Sequence, residues 1–320
     1  MQISSGTLLW LILAASLSAQ ELQFPRDDGK HDGVDFEGWT LLTHLTAEDS
    51  SRFGVAVFFL SGKVAGFKAS AVYAVVADES RKTATTYRKI KPPLISRAKH
   101  TKGRLYEKYG KNVLERDPAG GPYKFELNIK DLILSLAFTP AKMPIDLGQV
   151  AVGAGKYVRL YLIPRGTVLA VMRRGHQQHV LSGFGIFQHE WGDSPEKNAA
   201  SDMFAIHFQD GSDVVVYHSQ TFPAINTLVR SAPNGDILLT HKFRAWADTV
   251  LASPMGSGKL AMYWRIAADE EDDLIMLKPT FDGQEIRLLG MPYWLGRCEA
   301  VRDNVNMRGV GYVYLRLKRK

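Results

Sequence analysis

The sequence contains a single cysteine, Cys298, among 320 residues. One cysteine cannot form an intrachain disulfide, so packing, hydrogen bonds and ion pairs must stabilise the fold. The same fact excludes the class of small, disulfide-rich secreted modules. Because Cys298 lies in an apolar run that is typical of a strand, we expect an inert core residue there.

Long hydrophobic runs are also scarce. The apolar residues 8–15 are followed by the small residues 16–19, a pattern that is typical of a secretory signal peptide cleaved near Ala19. The run is too short to cross a bilayer as a helix. We therefore expect residues 1–19 to be a signal peptide and the mature protein to be exported, either to the periplasm or out of the cell.

Acidic residues are sparse in one segment. The net charge is +7, and residues 81–116 contain twelve Lys or Arg but only two Glu. The Pro92-Pro93 pair and the lack of alternation predict a long surface connection with at most a short helix. This basic segment is either a solvated loop or a docking surface for an anionic membrane or polyanion. The docking residues would be Lys89, Lys91, Lys99, Lys102 and Lys108. No nucleic-acid recognition motif accompanies the charge, so nucleic acid is not the expected partner.

Amphipathic helical patterns are scarce, whereas short runs with alternating polarity fill the chain. Turn pairs such as Asp210-Gly211 and Asn234-Gly235 separate them at hairpin spacing. This pattern predicts an all-β protein of antiparallel barrels or sandwiches. The runs are too many for one small barrel, and residues 192–201 have the polar composition of a linker. We predict an N-terminal β domain over 20–191 and a C-terminal β domain over 202–320.

The segment GFGIFQHEWGD, residues 183–193, combines aromatic rings, an imidazole and a carboxylate. Strand alternation directs Phe187, His189 and Trp191 to one face, and Gln188 and Glu190 to the other. An imidazole beside a flat apolar ring can hold an unsaturated ligand and transfer a proton to it. The alternative interpretation is a core histidine that packs beside a tryptophan.

Three motifs together resemble the AttH / carotenoid 1,2-hydratase (hydroxyneurosporene synthase) family. They are FPRDDGKHDGVDFEGWTLLTHL at 24–45, the segment at 183–193, and MPYWLGRCEAV at 291–301 followed by GVGYVYLRL at 309–317. The resemblance covers nearly the whole mature chain. It implies two consecutive lipocalin-like antiparallel barrels or sandwiches.

The resemblance also implies a site, with several departures. The family's site histidine and tryptophan match His189 and Trp191. An acid of the family is replaced by Gln188, another acid by Leu295, and an aromatic residue by Gly38. The family's tyrosine and aspartate on the following strand have no clear match, and the nearest substitutes are His207, Tyr217 and His218.

Three functions remain open at this point. The first is an exported lipocalin-like protein that binds a lipid or isoprenoid in a barrel or an interdomain cleft. The second is a lyase or isomerase acting on an isoprenoid or polyene, with His189 as the acid/base and Glu190 as an orienting group or acid. The third is a surface protein that binds anions through the basic segment. The expected ligand-binding residues are Trp39, Phe187, Trp191, His207, Tyr217, Trp264, Tyr293 and Trp294.

The sequence predicts no cofactor and no metal site. The nine histidines are scattered, and the tightest pair, His176 and His179, lies beside glutamines in a predicted turn. Such a pair is weak evidence for a metal site, because metal sites usually need three or four ligands.

Overall fold

The computed structural model describes residues 21–316, except 65–66, 92–98, 102, 195–201, 220–225, 254–258, 269–272 and 289–290. The predicted signal peptide, most of the predicted linker and Lys102 lie outside the described residues, as do the side chains of Lys91 and Lys99. The signal peptide and the domain boundary therefore stay predictions.

The described residues form β-strands and two short 3₁₀ turns, Arg26–Asp28 and Asp303–Val305. The strands of the first sheet are β1 Phe36–Ala47, β2 Arg52–Val64, β3 Phe67–Asp78, β4 Thr83–Lys91, β5 Lys99–His100, β6 Tyr106–Tyr109, β7 Asn112–Glu115, β8 Tyr123–Ile129, β9 Leu132–Pro140, β10 Ile145–Gly153, β11 Lys156–Arg174 and β12 Gln177–Gly192. Those of the second sheet are β13 Asp202–Phe208, β14 Asp213–His218, β15 Thr227–Ser231, β16 Ile237–Thr240, β17 Phe243–Ala252, β18 Lys259–Ala268, β19 Leu274–Pro279, β20 Glu285–Leu288, β21 Met291–Arg302 and β22 Met307–Arg316. Within the described residues, no helix has the length and apolarity needed to cross a bilayer.

Both sheets are antiparallel and curled, which confirms the prediction of an all-β chain with two lipocalin-like units. In the first sheet, the strand order is β4-β3-β2-β1-β12-β11-β9-β8-β7-β6-β5, and β10 pairs with β11. In the second, the order is β16-β15-β14-β13-β22-β21-β19-β18-β17, and β20 pairs with β21. The first and last long strands of the first sheet, β1 and β12, are thus neighbours at its centre.

The basic segment differs from its prediction. Its described parts form β4 to β7, where a surface connection with at most a short helix was predicted. The cause is the spacing of apolar residues among the lysines, since Tyr87, Leu105, Tyr109 and Leu114 are all buried in the core. Lys89 is exposed and Lys108 is partly buried. Docking to an anionic surface stays a prediction.

Apolar side chains form three cores. The concave face of each sheet encloses one, which we call the first interior and the second interior. The third, the intersheet layer, lies between the two sheets, where Leu42 and Ile186 of the first sheet pack with Ala205 and Leu295 of the second. The central strands are therefore buried on both faces. Cys298 is buried in the second interior, and burial raises the pKa of its thiol well above the usual range.

The segment before β1 closes the first interior through Asp28. The Asp28 carboxylate accepts hydrogen bonds from the hydroxyls of Tyr123 and Tyr161 at 2.6 and 2.5 Å, and pairs with Arg116 Nη1 at 2.7 Å. The Asp28 carbonyl accepts a hydrogen bond from the indole N–H of Trp39 at 3.0 Å. The carboxylate thus ties the 3₁₀ turn to β8, β11 and Arg116, and the backbone carbonyl ties it to β1.

Replacing Asp28 with alanine should therefore destabilise the protein severely. The change leaves a largely buried guanidinium and two buried hydroxyls without their acceptor, which costs about 3–5 kcal/mol of unfolding free energy. Asp131→Ala, at an exposed turn, is the control and should change stability by less than about 0.5 kcal/mol. Urea unfolding measures both, and equal stabilities would contradict this role of Asp28.

A polar cluster crosses the intersheet layer at one end. His44 Nδ1 accepts a hydrogen bond from Arg297 Nε at 3.1 Å, and Arg297 Nη1 pairs with Glu79 at 2.9 Å. Beside it, Asp213 pairs with His207 Nδ1 at 2.7 Å and with Lys142 at 2.7 Å. These contacts hold the two sheets together, because His44 and Lys142 belong to the first unit whereas Arg297 and Asp213 belong to the second.

Stability should fall in acid because of His44. Burial first, and then the Arg297 cation, lowers the pKa of His44 well below its usual range. The folded state then binds fewer protons than the unfolded state below about pH 6.5. The stabilisation is complete above that pH and is lost as the pH falls, by up to about 1.4 kcal/mol per pH unit.

Urea unfolding between pH 5 and pH 8 tests this. His44→Gln keeps an acceptor for Arg297 but cannot titrate, so its stability should depend less steeply on pH than that of the native protein. His176→Gln, at an exposed turn, should keep the native slope. Equal slopes for His44→Gln and the native protein would contradict the prediction.

Candidate functional site

The two faces of β12 lead to different environments, as strand alternation predicted. Phe187, His189 and Trp191 point into the first interior. Gln188 and Glu190 point to the intersheet layer, where Gln188 contacts Tyr217 of the second sheet. The predicted acid/base pair of His189 and Glu190 is thus divided between two sides of one sheet.

In the first interior, His189 belongs to a hydrogen-bonded relay with Glu37 and His31. His189 Nδ1 lies 3.0 Å from the Asp27 carbonyl oxygen, and His189 Nε2 lies 3.2 Å from Glu37 Oε1. The same Oε1 accepts the backbone N–H of His31 at 3.0 Å and lies 2.9 Å from His31 Nδ1. We call these three residues the His–Glu relay.

Aromatic rings enclose the relay on two sides. Trp39 stacks on His189 with centroids 4.6 Å apart, and Trp191 stacks on His31 at 4.0 Å. Burial lowers the pKa of His189, although the hydrogen bond with Glu37 opposes the shift. Burial would raise the pKa of Glu37, but its hydrogen bonds with His189 and His31 outweigh this effect and lower that pKa. The rings and Asp28 fill this end of the first interior, an arrangement typical of a packed core.

The other face of β12 opens onto a partly exposed aromatic region at the end of the intersheet layer away from the polar cluster. We call it the intersheet mouth. Its residues come from both sheets: Phe36, Gly38, Gln188, Glu190, Tyr217, Tyr293 and Tyr314. The rings of Tyr293 and Tyr314 stack with centroids 4.9 Å apart and planes 5° apart. Partly exposed rings beside a buried layer can receive a flat apolar ligand.

Glu190 is the carboxylate of the intersheet mouth. Burial raises its pKa to about 7, and within the described residues it has no hydrogen bond or ion pair. Burial, and then the nearby Glu190 charge, raises the pKa of Tyr217 well above its usual range. The Tyr217 hydroxyl donates to Gln188 Oε1 at 3.0 Å. A carboxyl group with no cation beside it can carry a proton near neutral pH.

Gly38 packs closely beside this carboxylate. A Cβ atom there would lie 3.2 Å from Leu60 Cδ2, 3.3 Å from Phe36 Cζ and 3.5 Å from Glu190 Oε1, so a side chain would have to displace these neighbours. The resemblance predicted an aromatic residue at this position, and the glycine instead lets the neighbouring side chains pack over the strand. The acids expected at positions 188 and 295 would also face the intersheet layer, because Gln188 and Leu295 do. The three departures therefore alter this layer and leave the His–Glu relay unchanged.

The remaining predicted ligand-binding residues are not brought together. Trp264 and Trp294 are buried in the second interior, and His218 lies beside Trp264 there. His207 lies in the polar cluster at the opposite end of the intersheet layer. Only Tyr217 and Tyr293 of the predicted set line the intersheet mouth.

Sequence reasoning missed several residues of both regions. Tyr314 could have been recognised, since it follows Tyr312 by two positions in the run at 309–317 and must share its face. His31 and Asp27 had no signal of their own, because their partner His189 is more than 150 positions away.

In the described part of the chain, three side chains that could bind a metal ion lie close together. His31, Glu37 and His189 each offer a ligand atom, and these atoms lie within 4.8 Å of one another. The predicted pair His176 and His179 is not part of it.

Comparison with known proteins identifies the architecture. A family model described as AttH-like matches residues 15–316. A candidate AttH from Nitrosomonas europaea has a TM-score of 0.84 at 19% identity and covers 96% of this chain and 100% of that chain. Kievitone hydratase from Nectria haematococca has a TM-score of 0.73 at 11% identity, covering 94% of each chain. The structure of CghA with Sch210972 has a TM-score of 0.59 at 14% identity, covering 88% of this chain and 89% of that one. No curated protein matches the chain.

Proposed function

Because the chain belongs to the AttH-like family, we propose that it is a hydro-lyase or isomerase acting on an unsaturated hydrophobic molecule of the isoprenoid or polyene class. The substrate binds in the intersheet mouth, and Glu190 transfers the proton. The observation that carries the proposal is a lone carboxyl group among partly exposed aromatic rings, with no cation beside it in the described residues.

The chemistry follows from that environment. Protonating a carbon–carbon double bond requires an acid that keeps its proton in the resting enzyme, and a carboxyl group in apolar surroundings does so. Glu190 has such surroundings, whereas Glu37 Oε1 lies 2.9 and 3.2 Å from ring nitrogens of two histidines. Aromatic faces stabilise positive charge that develops on the substrate. The stacked Tyr293 and Tyr314 rings supply such faces at the same mouth.

The name of one solved neighbour supports the reaction class. That neighbour is a hydratase, and it shares this fold over nearly its whole length. Adding water to an alkene, and the reverse elimination, both need the proton donor that Glu190 provides in this proposal. Gln188, held by Tyr217, offers a polar group for orienting the substrate or the water.

This proposal moves the acid/base role from His189 to Glu190. His189 lies in a filled interior, and both of its ring nitrogens already have partners within 3.2 Å. We also keep export, after removal of residues 1–19, as part of the proposal. In the alternative function, the protein carries a hydrophobic molecule in the same mouth without converting it. The experiments below distinguish the carrier from the enzyme.

Glu190→Gln is the first test. Glutamine keeps the size of the side chain and removes the acidic proton, so binding of a polyene or isoprenoid panel should persist. Turnover should fall by about 10²–10⁴-fold, the usual effect of removing an acid/base group. Mass spectrometry in D₂O measures it, because protonation at carbon places deuterium in the product.

Glu126→Gln, on an exposed position of β8, is the matched control and should keep full turnover. If the native protein binds the polyenes or isoprenoids of the panel but converts none of them, the carrier function is favoured. Normal turnover in Glu190→Gln, combined with loss in a folded His189→Gln variant, would return the reaction to the first interior.

A further inference from the structure

The hydrogen-bond partners of His189 fix which of its nitrogens carries a proton. Its Nδ1 faces the Asp27 carbonyl oxygen, which can only accept, so Nδ1 must donate. In a neutral imidazole, the other nitrogen then presents a lone pair. That lone pair, on Nε2, points at Glu37 Oε1 from 3.2 Å.

His31 faces the same carboxylate. Its Nδ1 lies 2.9 Å from Glu37 Oε1, and its Nε2, 3.6 Å from the Asp27 carboxylate, is buried with no hydrogen-bond partner among the described residues. Either ring nitrogen of a neutral imidazole can carry the proton, so a proton on Nε2 frees Nδ1 to act as a ligand. Two ring nitrogens and one carboxylate oxygen thus converge to within 4.8 Å of one another.

From this convergence we propose that the His–Glu relay binds one divalent metal ion of the zinc class, through His31 Nδ1, a Glu37 carboxylate oxygen and His189 Nε2. Two neutral imidazoles and one carboxylate are a common zinc ligand set, which leaves a fourth position open. Metal-binding histidines usually donate their second N–H to a carbonyl or carboxylate. Asp27 offers such a carbonyl to His189, at 3.0 Å from Nδ1.

The surroundings suit such an ion. Among the described residues, Glu37 Oε2 and Glu107 Oε1 are buried without a hydrogen-bond partner, so acceptor oxygens remain in this interior. The stacked Trp39 and Trp191 rings hold the two imidazoles in place. The ion would connect His31, in the segment before β1, to β1 and β12. The ion would therefore hold the N-terminal segment against the sheet, and its binding is independent of the reaction proposed for the intersheet mouth.

Zinc titration of the full-length, chelator-treated protein tests the inference. Isothermal titration should show one Zn²⁺ per chain. His31→Gln should weaken binding by at least about 100-fold, because changes in outer partners alone cost about 10–100-fold. His31 is partly exposed, so this variant should fold. Zinc should raise the Tm of the native protein and leave that of His31→Gln unchanged.

His176→Gln is the matched control, since it removes an exposed histidine and should keep native affinity. Replacing zinc with Co²⁺ provides a second measurement, because a tetrahedral site with nitrogen ligands gives an intense visible absorption. Absence of zinc binding, or equal affinity in His31→Gln, would overturn the inference and leave a shared proton as the link between the three residues. Glu190→Gln should bind zinc normally, so this inference and the proposed function fail independently.

Discussion

The packing of the two sheets against each other is the constraint on which the rest of the structure depends. It buries the outer faces of β1, β2, β12 and of their counterparts in the second sheet. These strands must therefore be apolar on both faces, which explains their lack of strict alternation. Polar contacts then set the alignment: the Tyr312 hydroxyl donates to the Thr43 carbonyl oxygen, and Tyr217 donates to Gln188. The intersheet mouth lies at one end of this layer.

Much of this fold could be predicted from residue order, because strand periodicity is a local property. The opposite directions of His189 and Glu190 followed from alternation alone. The basic segment was mispredicted because its lysines hid a second pattern, in which Tyr87 and Tyr109 enter the core. Charge on the exposed positions of an edge strand is a common protection against aggregation and is compatible with sheet structure.

The candidate site was harder to predict, because it depends on contacts between distant parts of the chain. The aromatic residues Trp39, Trp264 and Trp294 look equivalent in sequence, yet they lie in two separate interiors. Which aromatic residues meet is decided by how the sheets pack, and a single sequence carries no direct signal for that. His189 stood out in the sequence because aromatic residues flank it. In the folded protein, aromatic rings enclose its imidazole in the first interior, away from the intersheet mouth.

The two carboxylates Glu37 and Glu190 show how one strand pair can place two acids in different environments. Glu37 is on β1 and faces inwards, where its hydrogen bonds with His31 hold the segment before β1. Glu190 is on the neighbouring strand and faces outwards, beside Gly38, with apolar neighbours. A carboxylate with donors is stabilised as an anion, and one without them favours its protonated form. The departures at Gly38, Gln188 and Leu295 all face the side of the sheet on which Glu190 lies, so under the proposed function this side would set the substrate preference.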